Sequence, residues 1–186
     1  MDTAMTAFLM TSAGQDDANT QHAQPAALYF EDMEPGRCLS SPAHRIDRIE
    51  LVAFAKVWDP LPFHVDEQAG IQAFGSLTAP GLYMLAVKQR LIHQLPTMTV
   101  IASLGYDEVR FNAPLRPDDT VVLRLEWVNR RISESKPDRG IVTVRFALIN
   151  QHGETVMSHL DTILVRRRKL EVFVRNRAET DDQVVS

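Results

Sequence analysis

The sequence predicts an α+β domain in which one antiparallel sheet wraps around a long central helix. Three observations carry that expectation. Gly81 through Gln94 contains no internal helix breaker, and Leu82, Tyr83, Met84, Leu85, Ala86 and Val87 are apolar on every face, the pattern of a helix buried on all sides. Beyond Leu95-Pro96 the chain alternates with period two. Val121, Leu123, Leu125 and Trp127 interleave with Val122, Arg124, Glu126 and Val128, while Val142, Val144, Phe146 and Leu148 interleave with Ile141, Thr143, Arg145 and Ala147. The other helical signals all precede Gly81, so helices come first and a meander follows. One face of that meander needs a cover, which the apolar helix supplies. The opposite face is solvated, and an edge strand is left to pair with a second copy. This is a single hot-dog domain, and dimerisation is the expected way to complete its core.

Taken in order, residues 1–26 are rich in Thr, Ala, Gln, Asp and Asn with little periodicity and read as a mobile tail. The domain itself is expected over 27–175, with a polar tail at 176–186. A strand is expected from about Arg37 to His44. Asp47 followed by Glu50 is a capping-box-like start, and Ile49, Val52, Ala53 and Val57 fall on one face of the helix that follows. That helix should stop before Asp59-Pro60. Asp66-Glu67-Gln68 opens a further short helix to about Ala73, with Asp66 as its cap. Pro80 suits the start of the central helix, whose exposed half is expected to begin at Lys88, Gln89 and Arg90. Strands are expected at Val100–Leu104 and Glu108–Asn112 on either side of Gly105, then over the two alternating runs, and finally from Thr155 to Arg166. Ser133–Gly140 and Asn150–Glu154 read as hairpin loops.

Composition narrows the class of function. The 186 residues suit one domain large enough to bury a core. Apolar and charged contents of 45% and 24% are those of an ordinary globular chain, and a net charge of -4 argues against a nucleic-acid surface. The single Cys38 forms no internal disulfide, which fits a reducing cytoplasm. No apolar run reaches the roughly 18 residues of a membrane helix. Ala4 to Met10 is apolar, but the first basic residue is Arg37, so a secretory signal is not expected. The protein is expected to be cytoplasmic, with neither membrane nor nucleic acid as a partner.

The chemistry centres on Trp58-Asp59-Pro60-Leu61-Pro62-Phe63-His64-Val65-Asp66. An acid stands five residues before a histidine. Pro60 and Pro62 remove backbone donors and are expected to forbid helix, leaving a stiff connection. Stiffness matters because an acid/base pair must hold both side chains within hydrogen-bond reach of one water or hydroxyl. The other reading of the same residues is a proline-rich loop with an ordinary cap and a solvated histidine. A metal pair at His64 and Asp66 lacks a third ligand at motif spacing, so no metal and no separate cofactor are expected. At Ala79-Pro80-Gly81 the free N–H groups of a helix start suit a developing anion, and glycine allows close approach of a substrate carbonyl.

The chain resembles the MaoC-like acyl dehydratases, relatives of the (R)-specific enoyl-CoA hydratases, from about Tyr29 to Arg168. Their hydratase motif is an Asp, a Pro two residues before a His, and an Asp two beyond it. Asp59, Pro62, His64 and Asp66 match it, and Gly81 matches the glycine that opens the central helix. Arg116-Pro117-Asp118-Asp119-Thr120 and Pro137-Asp138-Arg139-Gly140 also look like segments of that family. The resemblance implies Asp59 and His64 as catalytic residues, Gly81, Leu82 and Pro62 around an oxyanion and substrate site, and an acyl-CoA or acyl-carrier substrate, with coenzyme A present only as part of that substrate. It also implies a homodimer or an assembly of dimers. Arg166, Arg167 and Arg168 are candidates for contacts to coenzyme A phosphates, or else a solvated strand end. The match is incomplete. Where full-motif hydratases carry Asn three residues before the His, this chain has Leu61. Ala86 replaces a serine on the central helix, and Pro80 replaces a histidine before the glycine. A hot-dog thioesterase and a non-catalytic acyl-CoA binder are the competing expectations.

Overall fold

The computed structural model describes residues 27–169, so the two tail expectations lie outside the described residues. Within them, two short strands, β1 (Cys38–Ser40) and β2 (His44–Arg45), precede three helices and the central helix. Those are α1 (Arg48–Trp58), α2 (Pro62–Val65), α3 (Glu67–Phe74) and α4 (Gly81–Ile92). Four long strands follow, β3 (Val100–Phe111), β4 (Thr120–Ile132), β5 (Arg139–Asn150) and β6 (Thr155–Arg166). The sheet order is β1-β4-β5-β6-β3, with β2 also on β4 and every pairing antiparallel. The sheet wraps α4 in the hot-dog arrangement expected from the pattern.

The period-two runs behave as predicted. Val121, Leu123, Leu125 and Trp127 are fully buried, as are Val142, Val144 and Leu148, because alternation puts one set of side chains on the helix-facing side. They pack with Tyr83, Met84, Val87 and Leu91 of α4 in one core. At about 25 cal/mol per Å² of apolar surface removed from water, this layer is the main stabilising term.

Five local expectations are corrected. The single strand over Arg37–His44 is two strands, because Pro42 interrupts it and removes a ladder donor. The buried face of α1 is Leu51 and Ala55, not Ile49 and Val57, which are 79% and 71% exposed. Phe54 meets Tyr83 of α4 edge-on at 5.3 Å, and that contact sets the helix rotation. Strand β3 is continuous through Gly105, whose φ of 154° accommodates an irregularity in the register rather than a break. In α4, Leu82 is 54% exposed and Ala86 is exposed, so the helix buries one face rather than all of them. Lys88, expected in the exposed half, is fully buried, with its Nζ over the rings of Tyr106 and Phe146. Its aliphatic stem packs apolar surface while the aromatic faces accept the terminal amine.

Candidate active site

The acid and the histidine hang from two successive helix ends. Asp47 caps α1 by accepting from the Glu50 N–H at 2.8 Å, and the helix ends where Asp59, with φ −157°, turns the chain away. Pro62 then starts a single helical turn rather than an extended loop. The expected exclusion of helix fails because proline at the first helical position loses no intrahelical bond. That turn carries His64 inward, to 7% exposure. Asp66 closes it and caps α3, accepting from the Ala69 N–H at 2.8 Å, so this acid serves as the cap that the sequence suggested.

His64 is fixed by a group that carries no residue-type signal. Its Nδ1 donates to the main-chain carbonyl of Thr78 at 2.6 Å, and Thr78 is itself buried. Held this way, a neutral imidazole keeps its lone pair on Nε2. That nitrogen faces Asp59 Oδ2 at 3.8 Å. The separation is too long for a hydrogen bond. A carboxylate and an imidazole lone pair are both acceptors, and at this distance they converge on one donor that reaches both. A water molecule has that chemistry. Phe63 stacks edge-on to His64 at 4.4 Å and to Phe74 at 5.1 Å, giving the imidazole an apolar flank.

His64 opens on a cavity of about 340 Å³ shared with Thr78, Gly81, Met84, Phe111 and Asn112. Gly81 is the first residue of α4, with Pro80 as its cap. The Tyr83 and Met84 N–H groups return to the Pro80 carbonyl at 3.0 and 3.3 Å. The N–H groups of Gly81 and Leu82 precede any intrahelical acceptor, so they and the helix dipole are the donors available to an anion. Directly over Gly81 lies the ring of Phe111, and a Cβ at position 81 would stand 2.6 Å from it. Phe111 and Thr78 are among the candidate site residues missing from the sequence reading. The first arrives from the far end of β3, and the second acts through its backbone.

Other expected residues fall elsewhere. Leu61, 46% exposed, precedes the turn that Pro62 opens, and Ala86 points away from the core. Arg166, Arg167 and Arg168 lie at the opposite end of β6 from Met157, which pairs with Phe111. Nine residues of strand amount to roughly 30 Å. Arg167 pairs with Glu31 at 3.1 Å and Arg168 with Asp32 at 2.7 Å. Burial works to raise both acids, but the hydrogen bonds and charges of these arginines outweigh it and hold both carboxyls below their ordinary values.

A sheet wrapped around a central helix defines a fold class, and comparison with known proteins places the chain within it. Residues 32–150 match the MaoC like domain, and the chain belongs to that family. It is 27% identical to protein MaoC of Klebsiella aerogenes over 120 residues, 63% of this chain and 36% of that protein. It is 38% identical to mesaconyl-CoA hydratase of Cereibacter sphaeroides over 73 residues, 39% of this chain and 21% of that one. The chain thus spans about a third or less of the length of these two relatives. Among solved structures, the MaoC-like dehydratase from Rhodospirillum rubrum superposes with a TM-score of 0.71 at 32% identity, covering 77% of this chain and all of that one.

Proposed function

We propose that the chain is a hydro-lyase that interconverts an enoyl thioester and its 3-hydroxyacyl form, the thiol being coenzyme A or an acyl carrier. The observation that supports this reading is the convergence of His64 Nε2 and Asp59 Oδ2, 3.8 Å apart, beside a cavity lined by the first turn of α4. In hydration, one water donates to both acceptors. Its oxygen bonds to the β-carbon as one of the pair takes its proton, and the electron pair moves through the double bond onto the thioester oxygen. The N–H groups of Gly81 and Leu82 receive that negative charge, and the α-carbon then takes a proton from the dyad. Acid/base assistance of this kind is worth about 10²–10⁴-fold, and an oxyanion donor contributes on a similar scale. Pro62 serves by fixing the turn that aims His64.

A homodimer joined through the exposed edge of β3 is part of the proposal, as is a cytoplasmic setting. Contacts of Arg166, Arg167 and Arg168 to the phosphates of coenzyme A are part of the proposal as well, at the end of β6 remote from Phe111. The relative named as a mesaconyl-CoA hydratase supports a thioester substrate. A second reading, a non-catalytic acyl-CoA binder, is favoured by Leu61 and Ala86, where polar residues of the family motif are absent. A thioesterase is the third. One assay separates them. Loss of enoyl absorbance without thiol release supports the hydro-lyase, thiol release supports the thioesterase, and binding with neither supports the binder.

A further inference from the structure

A second cavity, about 390 Å³, lies at the other end of α4 and shares no lining residue with the one that holds His64. Twelve residues of helix put the two ends about 18 Å apart. Ile92, Leu95 and Ile163 give it apolar walls, and Ser103, Tyr106 and Asp161 supply polar groups. Asp161 is 4% exposed, and one carboxylate oxygen accepts from the Ser103 hydroxyl at 2.6 Å. Its other oxygen has no donor among the described residues and is not sealed off, so it stays open to a donor in the cavity. Directly across the β3–β6 ladder from Asp161 stands Tyr106, which places their Cβ atoms about 4.5–5.5 Å apart. The Tyr106 oxygen already accepts from buried Lys88 Nζ at 3.1 Å, so its own proton is free to be donated.

The charges around this pair restrict what can enter. His159, buried between the Tyr106 and Phe146 rings, is held neutral by its burial and by neighbouring Lys88, and adds no charge. An anionic ligand would meet the Asp161 carboxylate. A cationic group, which only donates, would pair with Asp161 but leave the Tyr106 proton without an acceptor. Neutral groups that donate and accept at once satisfy both sides.

We propose that this cavity binds an amide or a hydroxyl carried on an apolar chain, with Asp161 as acceptor and Tyr106 as donor. Such a group has two sources in a thioester ligand, a polar substituent on the acyl chain or an amide of the pantetheine arm. The proposal goes beyond the hydro-lyase reading and does not depend on turnover.

Hexanamide and hexanoate, nearly isosteric, test it on the full chain by NMR titration of the backbone amides. Hexanamide is expected to shift Ser103, Tyr106 and Asp161, with hexanoate at least about tenfold weaker. Tyr106→Phe should weaken hexanamide about tenfold, and Asp161→Asn should admit hexanoate by removing the repelling charge. Pantetheine displacing hexanamide assigns the group to the carrier arm, and failure to displace it assigns the group to the acyl end. Equal binding of hexanoate and hexanamide to the wild type, or no shifts at these residues at millimolar hexanamide, would overturn the proposal. Enoyl-thioester hydration is measured separately, so a negative titration leaves the dyad assignment untouched.

Discussion

The Phe111 ring fills the space that a side chain on Gly81 would need, standing 2.6 Å from where a Cβ would lie. Phe111 ends an edge strand, Gly81 opens the central helix, and both border the cavity of His64. One contact therefore couples the sheet edge to the proposed oxyanion donors. Because Phe111 is half exposed, its ring can swing aside at modest cost.

Gly81→Ala should accordingly displace the ring and lower hydration at least about tenfold, while stability changes by only about 1 kcal/mol. Gly70→Ala provides the contrast. There a Cβ would meet the Leu77 backbone at 2.7 Å, which cannot swing away, so a loss of about 1–3 kcal/mol is expected. Thermal melts and initial rates of both variants check the pair. Unchanged turnover in Gly81→Ala would remove the case for carbonyl contact there.

Acid should loosen the tie between the start of the domain and the end of β6. Glu31 and Asp32 are held below their ordinary values of 4.5 and 3.8, so their contribution to stability is complete above those values. It is lost as pH falls below them and the folded-state carboxyls protonate. The melting temperature should drop through that window, and Glu31→Gln with Asp32→Asn should flatten the drop. Parallel curves for wild type and variant would show that other carboxyls dominate.

Strand β3 exposes Leu104 along an edge that has no partner strand among the described residues, and an edge of that kind pairs readily with a second copy. Light scattering at micromolar concentration should give twice the chain mass. Leu104→Lys should shift the population toward monomer, and a monomeric wild type would refute the pairing.

Legibility followed burial. Val121 through Trp127 and Val142 through Leu148 were readable as strands because one sheet face is dry and the other wet, which writes period two into the sequence. In α1 two apolar stripes share the helical period. Tertiary packing, the contact of Phe54 with Tyr83 included, selects Leu51 and Ala55 over Ile49 and Val57. Lys88 read as exposed because its burial depends on Tyr106 and Phe146, which come from distant strands. The five-residue spacing of Asp59 and His64 marked the candidate site, and the two side chains lie 3.8 Å apart. Thr78 left no trace in the sequence because any residue offers a carbonyl. Phe111 left none because its proximity to Gly81 is made by the fold.

The most direct test of the central claim is the rate of enoyl-thioester hydration in Asp59→Asn, His64→Ala and the double variant. Each single change should cost about 10² or more, and the double should lose far less than the product of the two, because both groups act on one water. Fold and oligomeric state should survive, since neither side chain belongs to the apolar core. Hydration persisting at the wild-type rate in both single variants would contradict the account.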